Sequence, residues 1–137
     1  GMARRALELA VPHVQERSAF GQRLADKESV QGMLGEAAMR IEAGRLLTMR
    51  AAVALERGSR ARAEISQAKI QVADALHLAV DTAIQLMGAK GYSKDTPLEW
   101  MYRYARQARL VDGASEVHRM VVARELLADP RGFFGWS

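Results

Sequence analysis

Apolar residues recur along this chain in steps of three and four, and no stretch keeps the two-residue alternation of a strand. The clearest run is Ile65, Ala68, Val72, Ala75, Ala79, Ala83 and Leu86, which stack on one face of a helix. Glu64, Lys69, Gln71, Asp74 and Asp81 mostly fall off that stripe. A second long amphipathic segment carries Met33, Leu34, Ala37, Ala38, Ile41 and Leu55. Gly44 lies inside it and, lacking a side chain, leaves room for another helix to approach. Such a period throughout implies an all-α fold, an antiparallel up-and-down helical bundle with a short extra helix.

The breaks in the period divide the bundle. Asp26 is placed to cap the second helix, and Gly58-Ser59 separates the second from the third. Gly88 through Asp95 ends the third, because two glycines and a Ser-Lys-Asp run interrupt the pattern. Thr96-Pro97-Leu98-Glu99 reads as a helix start, with Thr96 capping, Pro97 in the first helical position and Glu99 reaching back. A last helix is expected from about Ser115 to Leu127, stopped by Asp129-Pro130. Pro12 is the misfit. It removes a hydrogen bond and crowds the carbonyl of Glu8, so the first helix is expected to kink there or begin after it.

Composition narrows the class. A length of 137 residues, 49% hydrophobic and 26% charged, fits one domain (1–137) with a core of its own. Gly1-Met2 reads as an expression-tag remnant. Cysteine is absent, which removes disulfides and thiolate metal sites and fits a reducing compartment. His13, His77 and His118 lack metal-like spacing, so no metal site is expected. The seven methionines read as core filler. No apolar run approaches the roughly 20 residues that span a bilayer, and the N-terminus lacks a signal peptide's apolar core. The net charge of +4 is spread among acidic residues without a block or an aromatic stripe, which argues against nucleic acid. Solvated helix faces account for it, and a site for a phosphate-bearing small molecule is the functional alternative.

Three strings carry chemistry. In Arg17-Ser18-Ala19-Phe20-Gly21, a guanidinium and an aromatic ring would lie near each other on a helix that Gly21 then breaks. This is either a fork for phosphate oxygens beside a flat apolar surface or an ordinary helix end. In Gln85-Leu86-Met87-Gly88-Ala89-Lys90-Gly91-Tyr92, small residues can admit a ligand to backbone amides beside the Gln85 amide, or simply end a helix. In Val111-Asp112-Gly113-Ala114-Ser115-Glu116-Val117-His118-Arg119, a lone carboxylate sits on an Asp-Gly turn before a helix. It is placed either to act as a base or to cap the helix. His118 is either a cofactor contact or a packed residue.

In this order and spacing, the three strings resemble the C-terminal domain of acyl-CoA dehydrogenases, flavin enzymes that introduce an α,β double bond into acyl-CoA thioesters. The resemblance implies that Asp112 is the catalytic base, where the family usually carries Glu in Tyr-Glu-Gly-Thr. The surrounding Asp-Gly-x-x-Glu-Val-His-Arg resembles a branch of the superfamily with Asp there. It further implies that Arg17, Phe20, Gln85, Gly88, Ala89, Ala114 and Glu116 are the cofactor-binding positions for FAD, several of them reaching it across a subunit interface. Ala89 stands in place of a second glycine, Ala114 of a hydroxyl residue and Glu116 of a glutamine.

The same resemblance makes this chain the C-terminal third of a larger flavoenzyme. Its implied partners are an acyl-CoA substrate, further copies in a homodimer or homotetramer, and an electron-transfer protein. A cytoplasmic location is expected, mitochondrial or peroxisomal in a eukaryote. Self-association is expected through the third helix and the C-terminal segment, where Phe133, Phe134 and Trp136 leave apolar area. Two other functions stay open. A nitroalkane oxidase-like flavoenzyme oxidises another carbon acid with Asp as base, and a stand-alone bundle would serve only as an oligomerisation module.

Overall fold

The structure, a computed structural model, describes residues 1–135. Six helices account for most of it: α1 Met2–Glu16, α2 Glu28–Glu56, α3 Arg62–Met87, α4 Ala89–Tyr92, α5 Leu98–Gln107 and α6 Ser115–Ala128. Two short strands, β1 Ser18–Ala19 and β2 Gln22–Arg23, pair antiparallel between α1 and α2. The expected three long helices, a shorter one after Pro97 and another after Gly113 are all present.

Helix α3 is the axis of the bundle. Its neighbour α2 runs antiparallel, as the ion pair between Arg50 and Glu64 and the contact between Gly44 and Val72 require. A methyl group on Gly44 would stand 3.3 Å from Val72 Cγ2 and 3.6 Å from its Cα, so glycine is what lets the two helices close. On the other side, Ala6 and Ala10 of α1, Leu76, Val80, Ala83 and Met87 of α3, and Leu98, Met101 and Ala105 of α5 form the main core. A smaller cluster joins Val14 of α1, Val30 of α2 and Leu86 of α3. It seats the end of α1 against the end of α3.

Several local expectations need correction. Helix α1 does not begin after Pro12 but at Met2 and runs through it; Pro12 is exposed, and Glu8, whose carbonyl loses a partner there, is exposed too. Asp26 does not cap α2, since the cap position is Lys27 and makes no side-chain cap bond. The Asp26 carboxylate instead accepts two hydrogen bonds from Arg23, at 3.0 and 3.1 Å. Those bonds, with the attraction between the charges, raise the Arg23 pKa above its ordinary value. Thr96 does accept the Leu98 N–H, at 3.4 Å, but Pro97 occupies the cap position and Leu98 the first helical one. Met87 and Met101 are core residues, whereas Met39, Met49 and Met120 are exposed.

Charge is mostly surface pairing, as in Arg4–Glu8, Arg40–Glu36 and Arg45–Glu42, each a turn apart on one helix. The third helix is enclosed by its neighbours, so exposed apolar side chains lie more on α2 (Met39, Leu46, Met49, Val53) and α6 (Val117, Met120, Leu127) than on α3. Phe134 is exposed beyond α6, and Trp136 lies outside the described residues. Among the described residues, no helix is long and apolar enough to cross a membrane. Among the described residues, no group of His, Asp and Glu is placed to hold a metal ion.

Candidate functional site

Two of the strings come together, although residues 17 and 85 are far apart in sequence. Val14 and Leu86 meet in the smaller core cluster, so their neighbours Arg17 and Gln85 flank one groove. That groove, about 480 Å³ in volume, is lined by His13, Arg17, Leu24, Gln85, Met87, Gly88, Ala89 and Lys90 among others. Gly88 adopts φ +58° and ψ −137°, a region open in practice only to glycine, and there the chain leaves α3 for α4. Gly91 plays a different part. It is buried, and a methyl group on it would fall 2.9 Å from Met87 Cβ and 3.0 Å from Ile84 Cα. Its small size serves packing on α3, not approach by a ligand.

The Arg17–Phe20 string departs from expectation. The helix ends at Glu16, and Arg17 already has extended backbone. Phe20 and Gly21, at φ +55° and +80°, form the two-residue tip of the β1–β2 hairpin, pairing Ala19 with Gln22. Positive φ at both tip residues matches the twist of a tight hairpin, which explains why the chain does not continue as a helix. The Phe20 ring is 98% exposed, with the Lys27 ammonium 5.5 Å from its centroid. A bulky residue held at positive φ and fully exposed is a local strain of the kind that marks ligand clamps.

The third string sits elsewhere. Asp112 and Gly113 both take positive φ, +55° and +90°, and the loop closes where the Ser115 N–H donates to the Arg109 carbonyl at 3.1 Å. The cap of α6 is Ala114, not Asp112, and its carbonyl accepts the Val117 and His118 N–H groups. Asp112 is exposed, and its carboxylate has no hydrogen-bond or ion-pair partner among the described residues. The capping alternative is therefore gone. Ala114 is half-buried beside the turn, and Glu116 is exposed in the first turn of α6, 3.7 Å from Arg119.

His118 reaches back to this turn and across to Ser66 of α3. Ser66 and Gln85 are thus the points where the two sites touch α3, roughly 28 Å apart along its axis at about 1.5 Å per residue. Within one chain the turn and the groove cannot serve the same end of one bound molecule.

Residues 1–127 match the family model described as acyl-CoA dehydrogenase, C-terminal domain. The chain belongs to this family. As an acyl-CoA dehydrogenase C-terminal domain, it is 36% identical over 129 residues to cyclohexane-1-carbonyl-CoA dehydrogenase of Geobacter metallireducens, covering 94% of this chain and 34% of that protein. It is 37% identical over 131 residues to the mitochondrial short-chain specific acyl-CoA dehydrogenase of Bos taurus, covering 96% and 32%. The butyryl-CoA dehydrogenase structure from Megasphaera elsdenii superposes with a TM-score of 0.87 at 31% identity, covering 92% of this chain and 33% of that one. The chain thus spans about a third of the length of the relatives it matches.

The groove's lining suits part of an FAD molecule. Arg17 and Lys90 are cationic, Gln85 offers an amide donor and acceptor, and Gly88 leaves its backbone open with nothing within 4 Å of a Cβ position. The cations and the amide could meet a pyrophosphate, while Leu24, Leu86, Met87 and Ala89 give the groove an apolar floor. His13, Lys90 and Ser66 escaped the reading of the sequence. His13 and Lys90 are recognisable only once α1 and α3 are packed, and nothing in the sequence points from Ser66 to His118.

Proposed function

We propose that this chain is the C-terminal domain of an FAD-dependent acyl-CoA dehydrogenase, in which Asp112 removes the α-proton of an acyl-CoA thioester. The observation that carries this reading is the state of Asp112. Its carboxylate is exposed, without a partner and free of any capping duty, on a turn held in left-handed geometry. A carboxylate in that position can approach a carbon acid and accept its proton, which a capping or ion-paired one could not do without losing its partner. FAD, when bound, supplies the acceptor for the β-hydride.

The chain's other residues serve to bind and orient. Arg17 and Lys90 would neutralise the pyrophosphate, Gln85 and the backbone at Gly88 and Ala89 would position the adenosine end, and Phe20 would offer its exposed face. Ala114 and Glu116 flank the base turn and would lie toward the flavin end. The separation of groove and turn along α3 supports contributions to two different FAD sites of a homodimer or homotetramer, as does the exposed apolar surface of α2 and α6. The remaining two-thirds of the relatives' length supports a full-length protein in which other domains complete the acyl and CoA sites.

The test is single-turnover bleaching of the flavin by substrate in the full-length protein. Asp112→Asn keeps the size of the side chain but cannot accept the proton, so FAD should stay bound while reduction slows about 10²–10⁴-fold. Asp112→Glu should retain partial activity. Bleaching of the Asn variant at the wild-type rate would sink the proposal.

A further inference from the structure

We propose that His118 is a positioning residue, which ties the Asp112 turn to α3 and thereby sets where the base stands. This rests on the reading of Asp112 as the base. His118 Nε2 lies 3.0 Å from the Asp112 carbonyl oxygen, and Nδ1 lies 3.1 Å from the Ser66 hydroxyl. A carbonyl only accepts, so the proton is assigned to Nε2, and that tautomer leaves Nδ1 to accept from Ser66. The result is a relay of two hydrogen bonds running from a 4% exposed serine on the bundle axis, through the imidazole, to the backbone of the proposed base. Both ring nitrogens are used within the protein, so His118 has none left for a cofactor.

The turn needs such a tie. Asp tolerates left-handed backbone without preferring it, and such conformations persist only where the surroundings over-determine them. Besides the packing of α6 along α3, the charged links nearest the turn among the described residues are the ion pairs of Arg109 and Arg119 with Asp74, at 3.5 and 3.7 Å. Both are largely exposed, and neither touches the turn's own backbone. The imidazole also fills the space beside Gly113, where a methyl group would come within 3.0 Å of Nε2. His118 thus acts on the turn in two ways, by a hydrogen bond at Asp112 and by contact at Gly113. Misplacement of a reacting group by about 1 Å can cost on the order of 10²-fold, so loosening this tie should slow proton removal without weakening substrate binding.

Two measurements test this. In the full-length holoenzyme, His118→Leu keeps bulk but removes the donor. The limiting rate of flavin bleaching should fall about 10–10²-fold, with FAD content and the substrate dissociation constant unchanged. His118→Gln, whose amide can donate to Asp112 and accept from Ser66, should recover most of the rate. Full activity in His118→Leu while Asp112→Asn is inactive would overturn the positioning role. Equal loss in the Leu and Gln variants would overturn the hydrogen-bond basis. Separately, proton–nitrogen correlation NMR of the 137-residue chain should find His118 protonated at Nε2. A ring protonated only at Nδ1 would overturn the relay without reference to catalysis. An active Asp112→Asn variant would instead remove the base reading and leave the NMR result to judge the tie.

Discussion

Gly91→Ala and Gly32→Ala make the same chemical change in two helices, and the structure gives them opposite signs. Gly32 is exposed on α2 with nothing within 4 Å of a Cβ position, so the variant should gain the usual helix preference for alanine, about 0.5–1 kcal/mol. Gly91 faces α3, where the added methyl would meet Met87 Cβ at 2.9 Å, Ile84 Cα at 3.0 Å and the Ile84 carbonyl at 3.1 Å. None of these is the tip of a flexible side chain. Relief requires α4 to move off α3, and overpacking of this kind costs about 1–3 kcal/mol. Taking the upper half of that range and subtracting the alanine preference leaves roughly 1–2.5 kcal/mol of destabilisation. A chain of this size shifts its Tm by about 3–4 °C per kcal/mol, so the two variants should melt roughly 5–14 °C apart. Thermal unfolding followed by far-ultraviolet circular dichroism measures it directly. If Gly91→Ala melts at or above Gly32→Ala, the close packing of α4 on α3 is wrong, and the glycine is left for a ligand to explain.

Other perturbations separate the core from the site. Leu98→Ala removes a fully buried side chain between α1, α3 and α5 and should cost about 3–5 kcal/mol in urea unfolding; a loss under about 1 kcal/mol would mean that α5 is not seated as described. Phe20→Ala should leave the unfolding midpoint within about 0.5 kcal/mol, as expected of an exposed position, yet lower FAD retention by the full-length protein. Unchanged FAD retention on dialysis would leave the hairpin tip without its proposed role. Thr96→Ala loses the hydroxyl bonds to the Leu98 N–H and the Gly91 carbonyl and should cost about 1 kcal/mol by urea unfolding. An unchanged midpoint would show those bonds to be worth nothing in water.

Much of this protein was written in local pattern. The three- and four-residue period of Ile65 through Leu86 set α3, because a helix buries a stripe and the stripe repeats with its turn. Gly44 in an otherwise helical segment marked a place where α2 and α3 pack closely, since a missing side chain permits it. The Asp-Gly pair at 112–113 marked a turn, because Gly113 takes positive φ without steric cost and Asp tolerates it. What sequence alone left open were choices between neighbours of similar local energy. The spacing of Arg17-Ser18-Ala19-Phe20-Gly21 points to a helix end, yet the segment makes a hairpin, a choice that exists only once the chain turns between α1 and α2. Asp112 could have capped α6, and that was settled when Ala114 took the cap position. The joining of Arg17 with Gln85, and of Ser66 with His118, belongs wholly to the tertiary structure. Contacts between residues so distant in the chain have no local signature, because their geometry exists only when separate helices have packed.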